Sequence, residues 1–267
     1  MPDNIKIIVA THKAYQMPKD KMYLPVHVGA EGKDIDLGYQ KDNVGENISS
    51  LNPQFCELTG LYWAWKNLDT DYIGLAHYRR HFRGKSTGKY PLDRVISEEE
   101  VRSILKNHSI IVPKKRRYYI ETLYQHYKHN HFIDELDTAE KIMLEKYPQY
   151  KDAYNKAIHR TWGYMFNMMV MKKELLDEYC SWIFDILFEL TKRLQKEGQT
   201  GFEARFPGRV SERMFNVWLT YKLDHGEISP KDIKEIPFMY MEKISKIKKA
   251  TTFLKAKFAG KKPEKSC

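Results

Sequence analysis

The stretch Asp69-Thr-Asp-Tyr-Ile-Gly-Leu-Ala-His-Tyr-Arg-Arg-His-Phe82 limits what this chain can be more than any other. Tyr72, Ile73, Leu75 and Ala76 form a short apolar run bounded by an acidic turn, which reads as a strand buried on both faces of an α/β sheet. In such sheets the carboxyl ends of the strands open into a ligand-binding crevice. This strand ends in His77, Tyr78, Arg79, Arg80 and His81, and each arginine offers a planar fork of donors to phosphate oxygens. A solvated strand end is the plainer reading of any single charge there, but five polar side chains among six residues favour a site for a phosphorylated ligand.

The rest of the chain alternates in the same manner. Ile5 to Ala10 predicts a central strand with Thr11-His12-Lys13 at its end, and Tyr23 to Gly29 a second. A polar loop with Asn43 and Asn47 follows. A single amphipathic helix is predicted from about Phe55 to Asn67, with Asn52 as its cap and Pro53 at its first position. Ser97-Glu-Glu-Glu100 starts a helix through Asn107. The strand Ile110 to Pro113 then runs into Lys114-Lys-Arg-Arg117, either a solvated turn or a second phosphate-facing patch.

Between Glu121 and Asp137 several imidazoles and carboxylates cluster without a zinc spacing, so hydroxyl recognition or acid/base work is preferred there to metal ligation. Helices are expected over 138–147 and 150–159. Trp162 to Met171 reads as one strand-like run whose lone Asn167 either faces a ligand or cross-links backbone. Lys173 to Leu194 is a long core helix, and Ser211 to Leu219 another with Glu212 and Arg213 in its first turn.

A chain of 267 residues can bury a full core, and its 13% aromatic content argues against disorder. Cys56, Cys180 and Cys267 are too few and scattered for a disulfide framework, which suits a reducing cytoplasm. No apolar run approaches a membrane span and the amino terminus does not read as a signal peptide. The net charge of +10 invites a nucleic-acid reading, yet Lys243 to Cys267 carries nine lysines and one glutamate, which leaves +2 for the body. Nucleic acid is therefore ranked low. Two regions are expected: a body, residues 1–242, and a tail, residues 243–267. In the tail Ile244, Ile247, Thr251, Leu254 and Phe258 recur at helical steps, which predicts a basic amphipathic helix lying on an anionic membrane surface.

Several motifs together resemble a known family: Val9-Ala-Thr-His-Lys13, Cys56-Glu-Leu-Thr59, Tyr62-Trp-Ala-Trp-Lys-Asn67, Gly74-Leu-Ala-His-Tyr-Arg-Arg80, Phe166-Asn-Met168 and Ser211-Glu-Arg213. They are similar to the bacterial domain-of-unknown-function family DUF4422, of capsule and exopolysaccharide gene clusters, across roughly residues 4–240. The resemblance implies a GT-A-like (Rossmann-like) α/β fold with a mixed, mainly parallel sheet flanked by helices. It also implies a glycosyltransferase that moves a hexose, galactofuranose or galactose favoured, from a UDP-sugar to a glycan or lipid-linked acceptor. Such an enzyme would be cytoplasmic and peripheral at the inner face of the membrane. A non-catalytic nucleotide-sugar or glycan-binding protein is the alternative.

On this reading Thr11, His12, Lys13, Asn43, Asn47, His77 and Tyr78 hold the donor, and Arg79 and Arg80 neutralise its diphosphate. Glu212 or Asp134 is the base, Glu212 ahead, while His131, Asn167 and Arg213 meet the acceptor or sugar. The Asp-x-Asp metal motif of GT-A enzymes has its counterpart in Asp69 and Asp71, but these precede the strand. No metal ligand is therefore assigned, with manganese or magnesium as the cofactor to look for.

Overall fold

A computed structural model describes residues 4–194 and 201–242. The basic tail, with its expected helix, lies outside the described residues. Strands β1 (Ile5–Thr11), β2 (Tyr23–His27) and β3 (Gln40–Lys41) come first, followed by helices α1 (Asn52–Phe55) and α2 (Leu58–Asn67). The hairpin of β4 (Tyr72–His77) and β5 (Arg80–Phe82) leads through α3 (Glu98–Leu105) to β6 (Ile110–Pro113) and β7 (Arg116–Arg117). Helices α4 (Leu123–Asn130), α5 (Ile133–Lys146) and α6 (Lys151–Ile158) precede β8 (Trp162–Gly163) and β9 (Met169–Lys172). The order closes with α7 (Lys173–Leu194), α8 (Gly201–Ala204), α9 (Phe206–Asp224), β10 (Ile233–Ile236) and β11 (Phe238–Tyr240).

The main sheet runs β10-β6-β9-β4-β1-β2-β3, with β5 and β11 paired beside β4. β1 lies parallel to both β2 and β4, with Ile8 opposite Leu75 and Ala10 opposite His77. β9 runs against both of its neighbours, so β6 and β10 point the same way as β4. The sheet is thus mainly parallel, flanked by helices, as expected. One contiguous core joins Ile7, Ile8, Ile73, Val170, Leu187 and Trp218. Gly74 sits between β1 and β9, and a Cβ there would press on Val170 at 2.9 Å and Ile7 at 3.0 Å.

Three expected elements are corrected. The helix from Phe55 is two helices, broken at Cys56, whose φ of +52 no helix tolerates. The run Trp162–Met171 is two short strands separated by Phe166 and Asn167, both left-handed at φ +77 and +52. The helix expected at Ser211 begins at Phe206, with Pro207 in its first turn, so Glu212 and Arg213 fall in its second turn.

Candidate active site

The strands that run with β4 end at one edge, and there Lys13 and Arg79 stand around one ring and Arg80 against another. The β4–β5 turn is tied to β1 by Tyr78 N–H donating to the Ala10 carbonyl at 3.1 Å. Tyr78 is 2% exposed and acts as the hub of the edge. Its ring lies 4.4 Å from that of His77, 5.4 Å from His12 and 5.1 Å from Tyr15. The Lys13 ammonium stands 5.1 Å and the Arg79 guanidinium 5.4 Å from the same ring centroid. Arg80 stacks at 4.4 Å on Phe166 and 5.8 Å from Tyr240. Neither Arg79 nor Arg80 has an ion-pair partner among the described residues.

This crowding keeps the imidazoles uncharged. Burial, then Arg80 and Arg79, push His77 down to about 2. His12 is lowered by burial and by the field of Lys13, Arg79, Lys33 and Arg205. The edge therefore presents fixed lysine and arginine charges around neutral rings, which is the electrostatic make-up of an anion site.

The other residues expected at the donor have internal duties. Thr11 is fully buried, and its Oγ1 donates to the Lys13 carbonyl at 2.6 Å, bending the chain so that His12 and Lys13 project. Asn43 donates to Glu31 at 3.3 Å. Asn47 accepts from Ser49 N–H at 3.1 Å and donates to the Gly45 carbonyl at 2.8 Å, closing its own turn. Asp42 organises this loop. Its buried carboxylate accepts from Gly29 N–H at 2.8 Å, Ala30 N–H at 3.1 Å, Thr59 Oγ1 at 2.7 Å and Ser49 Oγ.

Beside the cationic edge stand two carboxylates held by consecutive residues. Glu212 accepts from Phe166 N–H at 3.1 Å and from Arg213 Nη1 at 2.8 Å. Glu57, which the sequence did not single out, accepts from Asn167 Nδ2 at 2.9 Å. Burial raises the Glu57 carboxyl; the Asn167 amide and Arg80 offset part of this, and Glu212 adds to it. Asn167 is fully employed within the protein, since it also donates to the Gly208 carbonyl at 3.1 Å and accepts from Ser211 Oγ at 2.8 Å. It cross-links backbone and helix rather than reaching outward. Left-handed backbone at Cys56, Phe166 and Asn167 costs on the order of 1–3 kcal/mol each, and all three flank these carboxylates.

Farther along, Asp134 is exposed in the first turn of α5, while its neighbour Glu135 is buried and takes Arg209 Nη2 at 2.7 Å and the Tyr127 hydroxyl. His131 packs 4.8 Å from the Tyr127 ring, and Arg213, 3% exposed, lies 5.1 Å over it. Glu121 is buried between His126 at 3.2 Å and His129 at 3.0 Å. Burial and then Arg213 push His126 down to about 4. The imidazole–carboxylate cluster is thus a set of internal pairs beside Arg213.

Among the described residues no group of three or more His, Cys, Asp or Glu side chains could hold a metal ion. Asp69 and Asp71 lie at the amino end of β4, the opposite end of the strand from this edge, where the Asp71 carboxylate and the Asp69 carbonyl accept from Asn4 at 3.0 and 3.2 Å. Asp42 is occupied by four donors.

The model of a family described as a domain of unknown function, DUF4422, matches residues 6–223. The apo structure of the bifunctional glycosyltransferase WbbM is similar over 90% of this chain, with 28% sequence identity and a TM-score of 0.80. The chain spans about half of that protein, 46% of its length. No curated protein matches.

Proposed function

As a member of the DUF4422 family, which the match over residues 6–223 makes it, the chain carries a cationic edge, and from that edge we propose that it is a glycosyltransferase. The observation that carries the reading is Arg80, without an ion-pair partner among the described residues, stacked on Phe166, whose N–H holds Glu212 while the next residue, Asn167, holds Glu57. Its likeness to WbbM, itself a glycosyltransferase, supports the same conclusion. The donor is a UDP-hexose, galactofuranose or galactose favoured, and the acceptor a glycan or lipid-linked glycan of a cell-surface polysaccharide.

Lys13, His12 and Arg79 receive the diphosphate, with Tyr78 and His77 as the rings that align them. Arg80 neutralises the charge that collects on the leaving diphosphate as the bond from sugar carbon to phosphate oxygen breaks. Glu212 takes the proton from the acceptor hydroxyl as the new glycosidic bond forms. The Phe166 N–H and Arg213 fix the direction in which the Glu212 carboxylate points, while the raised Glu57 carboxyl keeps a second negative charge away from it. His131 and Arg213 border the acceptor side. No step needs a divalent cation, because the arginines supply the positive charge.

The body is peripheral to the inner face of the cytoplasmic membrane, tethered through the basic tail. No helix among the described residues is long and apolar enough to cross a membrane.

The test is a panel of nucleotide sugars screened by thermal shift and then by turnover without acceptor. A true donor at 100 times its dissociation constant stabilises the fold by about 2.7 kcal/mol, and it is slowly hydrolysed. Binding without hydrolysis or transfer would make the protein a nucleotide-sugar-binding component instead. No response to any nucleotide sugar would end the reading.

A further inference from the structure

β6 leaves the sheet at the same edge as β4, and the chain then runs Lys114-Lys-Arg-Arg-Tyr-Tyr-Ile120. The base of this loop is fastened. β7 pairs with β8, Tyr118 N–H donates to the Thr161 carbonyl at 2.7 Å, and the Tyr118 ring lies 4.1 Å from that of His126. Glu121, buried between two imidazoles, closes the far side.

The tip is the opposite. Tyr119 is 81% exposed and Ile120 71%, more than any other large hydrophobic side chain among the described residues. Ile120 N–H donates to the Tyr118 carbonyl at 2.7 Å, closing a three-residue turn that holds Tyr119 at φ +58. A bulky residue in that conformation is strained. The anchored base, not local preference, holds these two side chains out in water.

Positive charge flanks the tip. Lys115 is spent on Glu235 at 2.9 Å, and Arg116 lies 5.0 Å over the Tyr118 ring. Lys114 and Arg117 are exposed, and neither has an ion-pair partner among the described residues.

We propose that this loop is a docking surface for an anionic lipid layer, with Tyr119 and Ile120 entering the headgroup boundary and Lys114 and Arg117 meeting lipid phosphates. A tyrosine beside an aliphatic residue suits a boundary that is apolar on one side and wet on the other. The uncompensated cations select an anionic surface over a neutral one. Since the loop leaves the same sheet edge as Arg80, docking turns the crevice toward the plane in which a lipid-linked acceptor lies. Only this last consequence rests on the transferase reading.

The experiment compares full-length protein with two full-length variants, Tyr119→Ser/Ile120→Ser and Lys114→Ser/Arg117→Ser. All three are co-sedimented with vesicles of phosphatidylcholine alone, and with about a third of it replaced by phosphatidylglycerol. Each variant should bind the anionic vesicles about tenfold more weakly, with unchanged thermal unfolding and unchanged affinity for nucleotide sugar. Anionic-vesicle binding equal to the parent's in both variants would overturn the proposal. So would intact vesicle binding combined with lost affinity for a soluble glycan, which would make Tyr119 a sugar platform. Loop-dependent vesicle binding by a protein that responds to no nucleotide sugar would leave this inference standing and remove the transferase reading alone.

Discussion

Asn167 donates its side-chain amide to Glu57 across 2.9 Å, joining residues 110 positions apart, each beside or within left-handed backbone. That bond locks the α1–α2 break against the entry to β9, and through Ser211 and Gly208 it extends to α9. Asn167→Ala should therefore cost about 2–3 kcal/mol in chemical denaturation, because partially buried partners lose their donor. An unchanged midpoint would show that the cross-link is incidental.

The two glutamates should respond differently to isosteric change. Glu212→Gln removes the proposed base and should lower turnover on the order of 10²–10⁴-fold with donor affinity retained. Glu57→Gln keeps a neutral group where burial already favours one, and should reduce turnover less. Reversal of that order in steady-state kinetics would exchange their roles.

For the arginines, Arg79→Ala and Arg80→Ala should each lower turnover by about 10²-fold with the fold intact. Arg80→Lys should not restore the rate, because an ammonium cannot stack flat on Phe166 as the guanidinium does at 4.4 Å. In the parent protein a chelator should leave most activity. A strict requirement for manganese or magnesium would refute the cationic mechanism.

Stability should fall as the solution becomes acidic, for a reason other than carboxylate protonation. His81 has no exposed surface, and burial pushes it down from 6.5 to about 4. The unfolded chain then binds a proton below pH 6.5 that the folded chain refuses until about pH 4. Across that window His81 alone should remove about 3 kcal/mol, and His77 continues the trend to about 2. Urea midpoints between pH 7 and 4 test this, and His81→Phe should flatten the slope.

The tail lies outside the described residues, and its composition carries its own expectation. Truncation after Glu242 should weaken binding to anionic vesicles and slow transfer to a lipid-linked acceptor, leaving nucleotide-sugar affinity as it was. Equal vesicle binding by both forms at low and physiological salt would show that the tail is no anchor.

How much of this was legible depends on whether a signal was local. The cationic edge was, since His77 to Arg80 follow directly on the apolar run that builds β4. Glu57 was not: its partner Asn167 is remote, and the break at Cys56 uses neither glycine nor asparagine, the residues that advertise a positive φ. The apolar spacing of Trp162 to Met171 looked continuous because Phe166 and Asn167 interrupt the strand by conformation rather than composition. Asp134 was preferred to Glu135 although helical phase separates them, for Glu135 shares a face with Ala139 and Ile142. Asp42 was read as loop polarity, since its donors come from three other segments.

The reversed direction of β9 has a bearing on when the site comes into being. Arg79 and Arg80 follow directly on β4, whereas the groups that Arg80 packs against, Phe166 and Tyr240, come from far along the chain. Phe166 and Asn167 reach the cationic edge only by insertion of a strand between β4 and β6, and Glu212 follows later still. Closure of such a remote pairing is slow relative to local structure. Glu212 therefore joins the cationic edge only once β9 is paired in the sheet and α9 is packed against it.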